Sequence, residues 1–303
     1  MMKIAIAGGT GFVGSRLSQL FTQEGHHVYI LTRSPEKHKD SNKITHLGWL
    51  KDDFHPEDEL GEIDAFINLA GASLSGGRWT EERKRLIMDS RIQAAEEIIS
   101  IIDSLPHKPE VLINASAVGY YGESNRKSFT EQTESPGTDF LANVAEEWEE
   151  RASKAEKRGI RTVYLRLGIV LGEAGVLPMM KLPYQWMVGG NLGTGEQWVS
   201  WIHVDDVTEL INFILQNNDF KGPVNATAPN PKRNKDFGQT LADVLDRPHW
   251  LSVPGFALKA SLGEMSTLLL NGQAVLPRKA VINGYRFKYP ELKPALSSIL
   301  KKE

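Results

Sequence analysis

The chain has 303 residues, enough for one large α/β domain or a large domain with a smaller partner, and a formal charge of only −3 with charged residues dispersed along its length. Such a balance supplies no basic field for nucleic acid, and no apolar stretch approaches the length of a bilayer-spanning helix, so neither nucleic-acid nor membrane partners are expected. Without cysteine there is no disulfide and no thiolate chemistry, and the eight histidines show no ligand spacing, so no metal is expected either.

Met1-Met2-Lys3 leads directly into an apolar run, Ile4 to Ala7, rather than into a cleavable signal, and the chain is expected in the cytoplasm. That run fits a buried parallel strand. It enters the cluster Gly8-Gly9-Thr10-Gly11-Phe12-Val13-Gly14, after which Phe12, Val13, Leu17 and Leu20 take helical spacing. Gly8 permits a tight turn, Gly11 leaves backbone accessible to a phosphate, and Gly14 lets the helix pack on the sheet. Free N–H groups at the helix start, backed by its dipole, would hold a pyrophosphate, so this segment, Thr10 included, predicts a dinucleotide site.

The next strand, His27 to Leu31, ends in Thr32-Arg33-Ser34. A carboxylate for a ribose 2′-hydroxyl is missing there. An arginine between two hydroxyls suits a 2′-phosphate, which favours NADP(H) over NAD(H). Further strands are expected at 44–49, 65–70, 111–115 and 162–167, with helices at about 80–103 and 139–157; Leu69, Ala70 and Gly71, at the end of the 65–70 strand, are expected to border the same cofactor. Thr80 followed by Glu81 and Glu82 is a capped helix start. Alternation of this kind predicts an α/β, Rossmann-type, doubly wound parallel sheet.

Residues 173–198 form a glycine-, proline- and methionine-rich segment expected to lie over the site as a loop and helix. A strand at 198–203 and a helix at 205–216 are expected to return to the main sheet. The Pro229-to-Arg233 stretch marks a boundary, giving a cofactor domain over 1–228 and a small, mainly helical domain over 229–303, with helices at 237–245 and 256–269, that closes a substrate cleft.

Motifs spread over nearly the whole chain carry a resemblance. They include Asn68-Leu69-Ala70-Gly71-Ala72, Arg78-Trp79-Thr80, Ser116-Ala117-Val118-Gly119-Tyr120-Tyr121-Gly122, Asp139-Phe140-Leu141-Ala142, Ser200-Trp201-Ile202-His203-Val204-Asp205-Asp206 and Gly284-Tyr285-Arg286-Phe287. With them the chain resembles the atypical and extended short-chain dehydrogenase/reductases of the NAD-dependent epimerase/dehydratase group, in the subgroup called epimerase family proteins. The resemblance implies nicotinamide-dependent oxidoreductase or epimerase-like chemistry on a small polar substrate.

It also implies a Ser/Thr-Tyr-Lys catalytic group, and here the chain departs from the family. Where Tyr-x-x-x-Lys should stand, the sequence reads Asp139-Phe140-Leu141-Ala142-Asn143-Val144. Tyr121 and Ser116, at the end of a strand, remain as candidates for the chemistry, with aromatic packing and backbone hydrogen bonding as their alternatives. Arg78, Arg91 and Arg166 are candidates for an anionic group or for ion pairs. Tyr120, Gln197 and Trp201 are candidates for substrate contact, Trp201 alternatively for the core. Glu146, Glu147 and Glu149 read as a solvated helix face, and Asp205 or Asp206 as a helix cap. The rival function is a non-catalytic NADP(H)-binding redox sensor or adaptor.

Overall fold

Seven strands form one parallel sheet in the computed structural model, which describes residues 1–301. The first half of the chain runs through β1 (Lys3–Ala7), α1 (Phe12–Gln23), β2 (His27–Thr32), β3 (Ile44–Gly48), α2 (Pro56–Leu60), β4 (Ala65–Asn68), α3 (Glu81–Ser104) and β5 (Val111–Ala117). Next come β6 (Ser124–Phe129), α4 (Phe140–Ser153), β7 (Arg161–Leu167), β8 (Ile169–Leu171), α5 (Leu177–Gln185), β9 (Trp198–Val199), β10 (Trp201–His203), α6 (Val204–Gln216) and β11 (Gly222–Ala226). The chain then adds β12 (Lys232–Arg233), α7 (Asn234–Leu245), α8 (Gly255–Leu262), α9 (Thr267–Leu270), β13 (Gln273–Val275), α10 (Arg278–Ile282) and α11 (Leu292–Leu300).

The sheet order is β3-β2-β1-β4-β5-β7-β11. Its strands read as near-continuous apolar runs because both faces are covered. On one face Ile4, Ile6, Val28 and Ile113 meet Leu17 and Phe21 of α1 and Ile211 and Ile214 of α6. On the other, Ala5, Leu31, Phe66 and Leu112 meet Ile98 and Ile102 of α3 and Ala152 of α4. The order reverses between β1 and β4, and the carboxyl ends of strands at such a switch point frame the ligand crevice of open α/β sheets.

The expected helix starts hold: Thr80 accepts from the Arg83 N–H and Asp139 from the N–H groups of Leu141 and Ala142. The strand expected at 198–203 does not join the main sheet. It is split, β9 pairing with β12 and β10 with β8. The seventh strand is β11, concealed in the sequence by Gly222-Pro223, a turn signal that an edge strand tolerates because one side of it needs no donor. The helix expected over 256–269 breaks at Gly263, whose φ of 62° lies in the left-handed region.

Residues beyond 228 are tied into the rest at several points. Phe237 and Leu241 of α7 and Leu296 of α11 share a buried cluster with Leu171, Leu177 and Trp201. β13 pairs with β6. Neither Asp205 nor Asp206 caps α6; His203 does, accepting from the Asp205 N–H at 3.0 Å. The buried Asp206 carboxylate instead accepts the N–H groups of Lys288 (2.7 Å) and Tyr289 (2.9 Å) and the Tyr285 hydroxyl (3.3 Å), clasping the Gly284-to-Phe287 motif onto α6.

Candidate functional site

The glycine turn is built as tightly as its sequence implies. Gly8 has a φ of 79°, and a Cβ there would lie 2.8 Å from the Leu69 carbonyl at the end of β4. A Cβ on Gly14 would stand 2.3 Å from the Gly8 oxygen and 2.7 Å from the Gly9 Cα, so α1 approaches its own turn through glycine alone. Gly11 differs. A Cβ there would have one neighbour outside the adjoining residues, the Gly8 oxygen at 3.2 Å, and would otherwise project into open space. Gly11 is also the N-cap of α1, with no side chain capping the helix, so the N–H groups of the first turn, from Phe12, Val13 and Gly14, face that space. Thr10 is exposed beside them. A helix start with open donors and a positive dipole end is an anion site.

The neighbouring strands frame this turn. Leu69 N–H bonds to Ala7 O, continuing the β1–β4 ladder, and Ala70 N–H bonds to the Asn68 side chain. The Arg91 guanidinium lies against Gly71, where a Cβ would meet its Cζ at 3.1 Å. β2 runs beside β1 in register, Ala7 opposite Leu31, and so delivers Thr32-Arg33-Ser34 to the same edge of the sheet. Thr32 accepts the Ser34 N–H at 3.3 Å, and Arg33 is exposed with no hydrogen bond or ion pair among the described residues.

The candidate catalytic residues are placed otherwise than expected. Ser116, at the end of β5, is 2% exposed and donates to Glu149 at 2.6 Å. Glu149 is not on a solvated face: it is buried and receives Nε and a terminal nitrogen of Arg166, both at 2.8 Å. Burial works against the Arg166 cation, yet the hydrogen bonds and charge of Glu149 hold its pKa above the usual value. Arg166 is thereby committed to Glu149 rather than open to a substrate anion, and its guanidinium stacks 3.4 Å above the Tyr120 ring. In the sequence an ion pair is open to Arg166, but Glu149 as its partner is not legible, because the two lie 17 residues apart on a helix and a strand.

Tyr121 is 4% exposed, stacks on Phe129 and donates its hydroxyl to Asn225 at 2.8 Å. Burial pushes its pKa up, partly offset by Arg166. These surroundings place Tyr121 as a packed, hydrogen-bonded residue, and proton transfer by it would have to break the bond to Asn225. Tyr121→Phe should lower stability by about 1–3 kcal/mol, because Asn225 loses a buried donor, and leave ligand affinities unchanged. A urea unfolding curve coincident with wild type would contradict that assignment.

Candidate substrate contacts are also spoken for. Tyr120 donates to Glu134 O, Gln197 to Leu192 O and Leu269 O, and Trp201, fully buried, to Asn230 O. Gln197 therefore joins the 192–197 stretch to α9, and Trp201 is held to the turn at Asn230. Arg78 donates to Ser261 O and Ala260 O at the end of α8, bridging the 71–80 loop to the C-terminal helices. Arg91 bonds Ala72 O and Ile87 O, and burial lowers its pKa.

Residues 4–226 match the NAD dependent epimerase/dehydratase family, and residues 253–299 match a domain of unknown function, DUF1731. Among curated relatives, the epimerase family protein YfhF of Bacillus subtilis is 49% identical over 299 residues, covering 99% of this chain and 98% of that one. The epimerase family protein SH2119 of Staphylococcus haemolyticus is 44% identical, covering 99% of each. Among solved structures, the human epimerase family protein SDR39U1 (isoform 2), crystallised with NADPH, is 30% identical and superposes with a TM-score of 0.86 over 100% of both chains.

Proposed function

The chain belongs to the NAD dependent epimerase/dehydratase family, and from that premise we propose that it binds NADP(H) and acts as an oxidoreductase or epimerase-like enzyme on a small polar substrate. The carrying observation is the open start of α1 at Gly11 with the unpartnered Arg33 delivered beside it by β2. The turn would hold the pyrophosphate; Thr32, Arg33 and Ser34 would hold a 2′-phosphate; Leu69, Ala70 and Gly71 would border the dinucleotide across the switch point. The human relative crystallised with NADPH supports this choice of cofactor. Bound there, the nicotinamide would supply the hydride chemistry.

Ser116 is the polar group this chain offers near the end of β5. Its hydroxyl proton points at Glu149, so its lone pairs are what it has left, and it would orient a substrate by accepting a hydrogen bond. The C-terminal segment from 229 onward, bridged to the 71–80 loop by Arg78, would close the substrate cleft.

Calorimetry with the two cofactors tests the reading. NADPH should bind more tightly than NADH, and Arg33→Ala should cost roughly ten-fold or more in NADPH affinity, the value of a charge-assisted contact of about 1.5–3 kcal/mol, while NADH affinity stays unchanged. Equal affinities in wild type would refute it. A second reading, a non-catalytic NADP(H)-dependent sensor, is favoured by the lack of tyrosine and lysine over 139–144, where the family's Tyr-x-x-x-Lys should stand, and by the internal commitment of Ser116 and Tyr121. Failure of a broad panel of carbonyl compounds and sugar nucleotides to oxidise NADPH, with NADPH bound, would decide for the sensor.

A further inference from the structure

The loop that carries Arg33 is tied down at its far end by a residue outside the candidate cofactor contacts. It leaves β2 at Thr32, passes through a 3₁₀ turn over Pro35–Lys37 and comes back against β3. Lys37 N–H on Ser34 O and His38 N–H on Pro35 O close that turn, and past it Ser41 N–H on Ile44 O leads the chain into β3. β3 is an edge of the sheet, so one side of it has no neighbouring strand to accept its N–H groups.

His46 meets the loop there with both backbone and ring. Its backbone N–H donates to Asp40 Oδ1 at 2.8 Å and its ring Nδ1 donates to the same oxygen at 2.9 Å. A carboxylate only accepts, so Nδ1 carries a proton. The His46 ring also stacks on the His38 ring, with centroids 4.9 Å apart and planes at 16°. Hydrogen bonding to His46 holds the Asp40 carboxyl below its usual value. In the register of the two strands Ile30 lies opposite His46 and Thr32 opposite Gly48, so this clasp stands beside the strand end from which Arg33 departs.

The clasp bears on Arg33 in two ways. The Arg33 side chain is exposed and has no hydrogen bond or ion pair among the described residues, so the backbone that bears it sets where it stands. A loop fixed before its ligand arrives loses less freedom on binding, and affinity gains by that difference. The clasp also engages the carboxylate of Asp40. Bonded to His46, that carboxylate does not compete with a phosphate for the guanidinium.

We propose that His46 is a positioning residue for recognition of the 2′-phosphate of NADP(H): by holding Asp40 and His38 it fixes the 33–40 loop and so sets the preference for NADPH over NADH. The inference rests on Arg33 being the 2′-phosphate contact. His46 touches no ligand itself and acts through the loop.

Calorimetry of the full chain with NADPH and with NADH tests this. His46→Leu should weaken NADPH binding roughly 5- to 10-fold and leave NADH binding within about two-fold of wild type. His46→Asn, whose amide brings a donor near the position of Nδ1, should recover most of the loss. Asp40→Ala should resemble His46→Leu, and the double variant should lose little more than either single one, because each change opens the same clasp. The Asp40 side chain is 56% exposed, and melting of these variants should stay cooperative. If His46→Leu and Asp40→Ala keep the NADPH preference while Arg33→Ala loses it, the proposal is overturned and the cofactor reading stands. Equal losses for both cofactors, or a His46→Asn variant no better than His46→Leu, would also overturn it. A wild type that binds the two cofactors equally would remove the Arg33 reading and this inference with it.

Discussion

Gly11→Val is expected to abolish NADPH binding and leave the fold standing. The variant separates two jobs that one glycine cluster performs. At Gly11 an added Cβ has a single close neighbour, the Gly8 oxygen at 3.2 Å, so the folded chain accommodates it with a shift of a few tenths of an ångström. The rest of the side chain then projects over the open N–H groups at the start of α1, where the pyrophosphate would lie. A thermal melt with and without NADPH reads both effects. At ligand concentrations near 100 times Kd, wild type should gain about 2.7 kcal/mol, several degrees of melting temperature, and the variant should gain none. A variant that keeps the full shift would mean the turn is purely structural. Gly14→Val is the contrast: its Cβ would meet backbone at 2.3 Å and 2.7 Å, contacts no side-chain rotation relieves, so this variant should fail to fold stably.

The second large effect is expected at the buried ion pair. Arg166→Met leaves the Glu149 carboxylate inside the protein with Ser116 as its remaining hydrogen-bond donor, and Glu149→Leu leaves the guanidinium among Tyr120 and Tyr121 without a counter-charge. Each single change should cost about 3–5 kcal/mol, because the orphaned charge keeps its desolvation penalty and loses the partner that offset it. Replacing both should cost clearly less than the sum of the two, since nothing charged is then buried. Urea unfolding of the two single variants and the double variant measures the coupling. Additive losses would show that the pair is two independent contacts. A further consequence concerns Ser116: without Glu149 its hydroxyl regains a free proton.

The pair also bears on how the family pattern is altered in this chain. A tyrosine with a nearby lysine would titrate within reach of neutral pH, whereas burial raises Tyr121 above its ordinary value and its hydroxyl already has Asn225. Raising the pH should therefore produce no tyrosinate-dependent gain in turnover below the ordinary tyrosine range, if a substrate is turned over. Proton transfer by Tyr121 would first have to release its hydroxyl from Asn225.

Local rules were enough for the cofactor half. Gly8, Gly11 and Gly14 sit between an apolar strand and a helical repeat, and strand, turn and helix are set by neighbours within about a dozen residues, so their geometry follows from the sequence by itself. The same holds for Arg33 at the end of β2 and for the caps Thr80 and Asp139, whose partners lie two or three residues on. What only the tertiary structure decided involves partners far apart in the chain. Ser116 meets Glu149 across 33 residues, Tyr121 meets Asn225 across 104, and Ser200 meets Gln273 across 73. A buried side chain and a ligand-binding one can carry the same residue type; whether Trp201 faces a substrate or the core, and whether Glu149 faces water or Arg166, depends on which helix covers which strand, and that is fixed by the packing of the whole chain and by no local preference.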